Sequence, residues 1–93
     1  MHFAKALRPR VQSGEITCSV RIWKNPRVKV GGRYALPPGE IEVTSIRGIT
    51  REQITKRLAR RSGFDSVEAL LRVAQHGEGE FVFLVEFVYH EPG

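Results

Sequence analysis

The sequence predicts a small α+β domain in which a β-barrel is covered by helices. Residues 13–23 show strand-like alternation after a glycine turn, and residues 50–77 carry two helical patterns. Residues 80–89 form a nearly continuous apolar run, which is typical of a central strand covered on both faces. With shorter strand patterns at 33–36 and 40–48, we expect about five strands, the helices being inserted before the last one.

Length and composition define the class of protein. The chain has 93 residues, of which 41% are hydrophobic and 27% charged, so we expect one domain over residues 1–93 with a single modest core. No apolar run approaches the roughly 20 residues of a membrane helix, and the first residues lack the apolar core of a signal peptide. Cys18 has no partner for an internal disulfide, which favours a buried thiol in a reduced, cytoplasmic protein.

The strand at residues 13–23 carries recognition chemistry on one face. Its apolar positions are Ile16, Cys18, Val20 and Ile22, and the positions between them are Thr17, Ser19, Arg21 and Trp23. Period-2 alternation places the two sets on opposite faces, so hydroxyls, a guanidinium and an indole line up together. The alternative is an ordinary solvent-facing surface, because Thr, Ser and Trp are common in strands.

Charge is distributed unevenly along the chain. Residues 1–61 hold 14 of the 15 Lys and Arg residues and four acids, a net charge of +10, whereas residues 62–93 carry −5. Clustered cations gain free energy from phosphate contacts by counterion release, so nucleic acid is the first candidate partner. A solubilising surface charge is the alternative.

Two segments concentrate this positive charge. In the first, four basic residues lie between Trp23 and Tyr34: Lys24, Arg27, Lys29 and Arg33. Basic residues interleaved with aromatics suit nucleic acid, and we expect Trp23 to be exposed for stacking while Tyr34 belongs to the core. The second segment is the outer face of the first helix, which carries Arg57, Arg60 and Arg61.

The ends of both helices are predicted from capping patterns. Thr50 and Gln53 have capping-box spacing at the start of the first helix, and Asp65 with Glu68 repeats it for the second. The second helix is expected to end at His76-Gly77. His76 suits the negative end of that helix, with contact to nucleic acid as a further role. Ahead of these elements, residues 2–7 are predicted to form a short opening strand or the approach to one.

Neither a metal site nor a catalytic set follows from residue spacing. One cysteine and three scattered histidines do not suit structural zinc, and no Ser-His-acid arrangement is evident. We therefore expect no cofactor, and binding is better supported than catalysis.

In their order along the chain, these features resemble an ASCH domain, a member of the PUA-like β-barrel superfamily. They are a short helix ending at Gly14, the Thr/Ser-x-Arg strand, Lys-Val-Gly at 29–31, Ile-Glu-Val-Thr at 41–44 and Phe-Leu-Val-Glu-Phe at 83–87. The resemblance covers nearly the whole chain. It implies a barrel of five to six strands with two to three short helices, and RNA or other nucleic acid bound in a cleft between barrel and helices.

The resemblance also implies an enzymatic alternative. Some small bacterial ASCH proteins are amidohydrolases that deacetylate 4-acetylcytidine, and others have been described as ribonucleases. Their pattern resembles Gly-x-Lys-Thr-x-Thr-x-Arg, which Gly14, Thr17 and Arg21 match. Ser19 occupies the position of the second Thr of the pattern, which is the nucleophile in those enzymes. Ile16 occupies the position of the catalytic Lys, and the position expected for the catalytic Glu falls near Ser62. Because Ile16 has no titratable group, Ser19 is a catalytic candidate only if another base substitutes.

We therefore expect a nucleic-acid-binding module, most simply one for RNA. Arg21 would contact phosphate or a base edge, and Thr17 and Ser19 would hydrogen-bond the ligand. Trp23 would stack on a base, and the basic segments would supply the field. The alternatives are a hydrolase acting on a modified nucleoside or on RNA, and a sensor of a nucleotide-sized ligand.

Overall fold

A four-stranded antiparallel sheet forms the centre of the computed structural model, which describes residues 1–74 and 81–93. The strands are β1 (Cys18–Trp23), β2 (Arg33–Leu36), β3 (Gly39–Ile49) and β4 (Phe81–His90). Their order is β1-β4-β3-β2, so the last strand lies inside the sheet and β1 and β2 are its edges. The sheet curls into a half-barrel.

Three short helices accompany the sheet. They are α1 (Arg8–Gln12), α2 (Lys56–Arg61) and α3 (Val67–Ala74), with 3-10 turns at Lys5–Leu7 and Arg51–Gln53. Pro9 lies in the first turn of α1, where its missing N–H removes no helical hydrogen bond. Within the described ranges, no helix is long and apolar enough to cross a membrane.

The α+β class is confirmed, but the described residues form four strands rather than five or six. The apolar run near the end of the chain is central, as predicted, because β4 pairs with both β1 and β3. The predicted opening strand at residues 2–7 is absent. Those residues pass into a 3-10 turn at Lys5–Leu7 and then directly into α1.

The first predicted helix is two separate elements. The capping box of Thr50 and Gln53 is present, but it opens only the 3-10 turn, after which Ile54 is extended. A new start follows at Thr55, whose hydroxyl accepts a hydrogen bond from the Leu58 N–H at 3.1 Å. A second cap therefore interrupts the helix that the hydrophobic spacing predicted.

The start of the second helix is one residue later than predicted. The capping residue is Ser66 rather than Asp65, because the Ser66 hydroxyl accepts a hydrogen bond from the Ala69 N–H at 3.0 Å. The predicted end at His76-Gly77 lies outside the described residues.

Both faces of β1 are covered, which the alternation in its sequence did not predict. One buried cluster, on the α1 side of the sheet, includes Phe3, Val11, Ile16, Trp23 and Phe87. The other, beneath α2 and α3, includes Cys18, Val20, Ile22, Ala59 and Leu70. The polar face of β1 is thus turned toward the N-terminal segment (residues 1–7), not toward open solvent.

Gly39, at the start of β3, lies too close to β4 for any side chain. A Cβ there would meet the carbonyl oxygen of His90 and approach the Tyr89 hydroxyl to 2.7 Å. We predict that Gly39→Ala lowers the free energy of unfolding by about 1–3 kcal/mol, because the strands must move apart. Urea denaturation followed by tryptophan fluorescence measures this change.

Gly48 provides the matched control in the same strand. A Cβ added at this position would meet nothing within 4 Å, and the φ of Gly48 is not left-handed. Gly48→Ala should leave stability unchanged or raise it by about 0.5–1 kcal/mol, since alanine loses less backbone entropy in a strand. Equal losses for the two variants would contradict the close approach of β3 and β4.

Candidate nucleic-acid interface

A cleft lies along the open edge of β1, between the N-terminal segment and the helices. Its volume is about 220 Å³. The edge supplies Ser19, Val20 and Arg21; the N-terminal segment supplies His2 and Phe3; the helical region supplies Ser62, Phe64, Val73 and Ala74. We call it the helix-side cleft. It lies where the sequence placed recognition chemistry, although its helical and N-terminal walls were not predicted.

The edge position of β1 makes backbone groups available to this cleft. The Thr17 carbonyl accepts a hydrogen bond from the Phe87 N–H at 3.0 Å. In an antiparallel ladder the direction of the backbone groups alternates, so Ser19 and Arg21 also face β4. Val20 then directs its N–H and C=O away from β4, toward the cleft edge. One donor and one acceptor of the main chain therefore border the cleft.

The guanidinium of Arg21 is the main charged group of the cleft. Its Nε donates to the Ser19 hydroxyl at 2.8 Å, and Nη2 donates to the carbonyl oxygen of His2. The guanidinium carbon lies 5.3 Å from the centroid of the Phe3 ring, within cation–π distance. These contacts hold the guanidinium in one orientation beneath the N-terminal segment.

Arg21 is partly buried and has no counter-ion among the residues that the structure describes. In residues 1–74 and 81–93, no carboxylate lies within ion-pair distance of it. Burial lowers the pKa of Arg21 below its usual value, yet an arginine remains charged at neutral pH. A partly desolvated cation without a carboxylate partner is a strong attractor for an anion.

A second cleft opens on the other side of Arg21. Its volume is about 300 Å³, and it is lined by Met1, His2, Arg21, Trp23, Arg27 and Val28. We call it the loop-side cleft. Arg21 and His2 line both clefts, so the guanidinium lies between a mostly apolar space and one that holds a second arginine.

The predicted exposure of Trp23 is wrong. Its side chain is only 5% exposed, and its ring centroid lies 6.0 Å from that of Phe83. The indole fills the α1-side core because the N-terminal segment covers this face of β1. Tyr34, expected in the core, is partly buried against the same cluster and accepts a hydrogen bond from the Lys29 N–H at 3.0 Å.

The other predicted site residues are dispersed. Thr17 is exposed just before β1 and lines neither cleft. Lys24, Arg27 and Lys29 are exposed in the loop after β1, and only Arg27 lines a cleft with Arg21. Arg57, Arg60 and Arg61 are exposed on α2. His76 lies outside the described residues.

Four cleft residues, His2, Phe3, Ser62 and Phe64, were not candidates from the sequence. They come from segments that are distant from β1 along the chain, and each is of a type common on any surface or in any core. A covarying pair between the N-terminal segment and β1 is the kind of signal that would reveal them.

The hydroxyl of Ser19 is engaged by the neighbouring guanidinium of Arg21. Among the described side chains, the only hydrogen-bond partner of the Ser19 hydroxyl is Arg21, and no imidazole or carboxylate is bonded to it. Ile16, at the position of the expected lysine, is 2% exposed in the core. Ser62 is also buried, with its hydroxyl 3.6 Å from the Cys18 sulfur. No His, Cys, Asp or Glu cluster suited to a metal occurs in the described ranges.

Comparison of the chain with family models, curated proteins and solved structures gave no match.

The burial of Trp23 leads to a stability prediction. Trp23→Ala should lower the free energy of unfolding by about 3–5 kcal/mol, because it empties a large volume in the core. Thermal unfolding followed by far-ultraviolet circular dichroism measures the loss. Phe81 is the matched control, since it pairs with Trp23 across the sheet but is 57% exposed. Phe81→Ala should cost less than about 1 kcal/mol, and a similarly small loss for Trp23→Ala would contradict its core position.

Stability also distinguishes a binding role of Arg21 from a structural one. In Arg21→Met the lost hydrogen bonds are offset by removal of a partly buried charge, and methionine retains the apolar stem contacts. We predict a change in the free energy of unfolding within about 1 kcal/mol, measured by urea denaturation. A loss of about 3 kcal/mol would instead make Arg21 a structural clasp for the N-terminal segment.

Proposed function

We propose that this chain is a nucleic-acid-binding module for single-stranded RNA, with Arg21 as its central phosphate contact. The observation that carries the proposal is the oriented guanidinium of Arg21, which lacks a carboxylate partner among the described residues and borders two clefts. Its ASCH-like sequence features imply the same class of ligand.

Phosphate suits the charged side of this site. An arginine fork binds a phosphate through two parallel hydrogen bonds, and Arg21 is already partly desolvated, which strengthens such contacts. Arg27 lines the loop-side cleft with it, so a phosphate placed there would lie between two guanidinium groups. The net charge of +10 over residues 1–61 adds a long-range attraction for a polyanion.

A base suits the helix-side cleft. Its lining is mainly apolar, with Ser19 and Ser62 as polar lining residues and the outward backbone groups of Val20 at its edge. Flat apolar surface with a few edge donors and acceptors is what an unpaired base requires. A space of about 220 Å³ is on the scale of one unpaired base, which favours a single strand as the ligand. Phe64 and His2, both in the cleft wall, take the place that the sequence assigned to Trp23.

Binding to a short fluorescent single-stranded RNA tests this function. Anisotropy titrations across a salt series should give a linear fall of log affinity with log salt concentration. Arg21→Met should weaken binding by about 10-fold or more and reduce the salt slope by about one, because one charge-assisted contact is lost.

Arg33→Met is the matched control, because it removes the same charge from β2 at the opposite edge of the sheet. Its guanidinium is already paired with Glu40 at 2.7 Å and Glu42 at 3.4 Å. The control should stay within about 2-fold of the parent affinity. Equal losses for the two variants, or no RNA binding at low salt, would overturn the proposal. Stabilisation by mononucleotide with no added effect of polymer would instead identify a sensor of small ligands.

A further inference from the structure

A third cleft lies beside α2 and has two guanidinium groups in its wall. Its volume is about 330 Å³, and its polar lining consists of Arg47, Gln53 and Arg61. Leu58, Leu84 and Ile49 supply apolar surface. We call it the distal cleft. Arg47 belongs to β3 and was not a candidate from the sequence, whereas Arg61 was expected only as part of a general positive field.

Local geometry brings these residues together. Leu58 and Arg61 are three residues apart on α2, so they share one side of the helix. Arg47 and Leu84 are register partners on β3 and β4, so their side chains lie on the same face of the sheet. The apolar residues of the two elements thus form a floor, and an arginine from each element lies at its margin.

Both guanidinium groups are available to a ligand. Arg61 makes neither a hydrogen bond nor an ion pair with any residue that the structure describes. Arg47 lies 3.8 Å from Glu86, but both side chains are well exposed, and an exposed pair at that distance contributes little free energy. The Gln53 Oε1 already accepts the Thr50 N–H at 2.8 Å, which leaves its amide N–H groups as donors.

The distal cleft lies close to the site around Arg21. Val20, which lines the helix-side cleft, is the register partner of Leu84, and Leu84 is the register partner of Arg47. Adjacent strands are about 4.8 Å apart, so Val20 and Arg47 are separated by roughly 10 Å across the sheet. Along the chain, Ser62 of the helix-side cleft directly follows Arg61. The two clefts are therefore neighbours, one on each side of the end of α2.

We propose that the distal cleft is a second nucleotide site, which holds the continuation of an RNA strand bound at Arg21. This inference rests on the proposed function and extends its footprint across α2. Paired guanidinium groups suit phosphate, and apolar side chains beside guanidinium planes suit a stacked base. An acidic peptide would use the two charges but has no aromatic plane to lie against Leu58 and Ile49, so RNA is the better match.

RNA length separates the two sites. We would compare a uridine dinucleotide with an oligouridine of about 12 nucleotides, the shorter reaching one site and the longer both. In the Arg47→Gln/Arg61→Gln variant, affinity for the longer RNA should fall by about 10-fold or more, with a salt slope lower by one to two. Affinity for the shorter RNA, measured by the same anisotropy titration, should stay within about 2-fold.

The matched control is Arg10→Gln/Arg33→Gln, which removes the same charge from two arginines already paired with carboxylates. It should leave affinity for both RNAs nearly unchanged. The distal site would be overturned if the test and control variants lost equal affinity for the longer RNA. It would also be overturned if the test variant lost equal affinity for both RNAs. Competition by poly-glutamate as strong as that by unlabelled RNA would overturn it as well.

Failure of the proposed function gives a different result. If Arg21→Met leaves the affinities for the shorter and the longer RNA unchanged, or if no RNA binds, the proposed function and the distal site are overturned together. If Arg21→Met weakens both RNAs while Arg47→Gln/Arg61→Gln weakens neither, only the distal site is overturned.

Discussion

The structure depends on the pairing of β4 with two neighbours at once. This strand hydrogen-bonds to β1 over its first half and to β3 along most of its length, so residues from the end of the chain join the first and third strands. Val85 and Phe87 belong to the α1-side cluster, on one face of the sheet. Val82 and Leu84 belong to the cluster beneath α2 and α3, on the other face. A strand with both faces and both edges occupied must be apolar almost throughout, which explains its composition.

Because β4 lies between β1 and β3, β1 is an edge strand of the sheet. The candidate site lies along this edge. The edge has covered faces and an outer side toward which Val20 directs its backbone N–H and C=O. The N-terminal segment and the helices flank this side without closing it, which leaves the helix-side cleft. Arg21 is held there by Ser19, the His2 carbonyl and the Phe3 ring, and no carboxylate of residues 1–74 and 81–93 pairs with it. A protein that needed Arg21 only for stability would gain from an acidic partner or an apolar substitute.

Helix α2 organises the positive charge around this edge. Its cap at Thr55 starts a six-residue helix that ends in two arginines, and Ser62 follows immediately in the helix-side cleft. Arg61, one residue earlier, lines the distal cleft instead. The break between the 3-10 turn and α2 therefore matters for the site, since an unbroken helix from Thr50 would place these side chains in a different phase relative to the sheet.

The sequence by itself determined the α+β class, the central position of β4, the strands of the β2–β3 hairpin and the concentration of positive charge in residues 1–61. Those features depend on local periodicity and composition, which short stretches of chain carry on their own. Of the four polar or aromatic positions that the sequence selected on the strand predicted at residues 13–23, Ser19 and Arg21 line the helix-side cleft. Only the tertiary structure decided that Trp23 is buried, that His2 and Phe3 form a cleft wall, and that Arg47 and Arg61 share a cleft. Each of these depends on contacts between segments distant in the chain, and alternation along one strand cannot show what covers its faces.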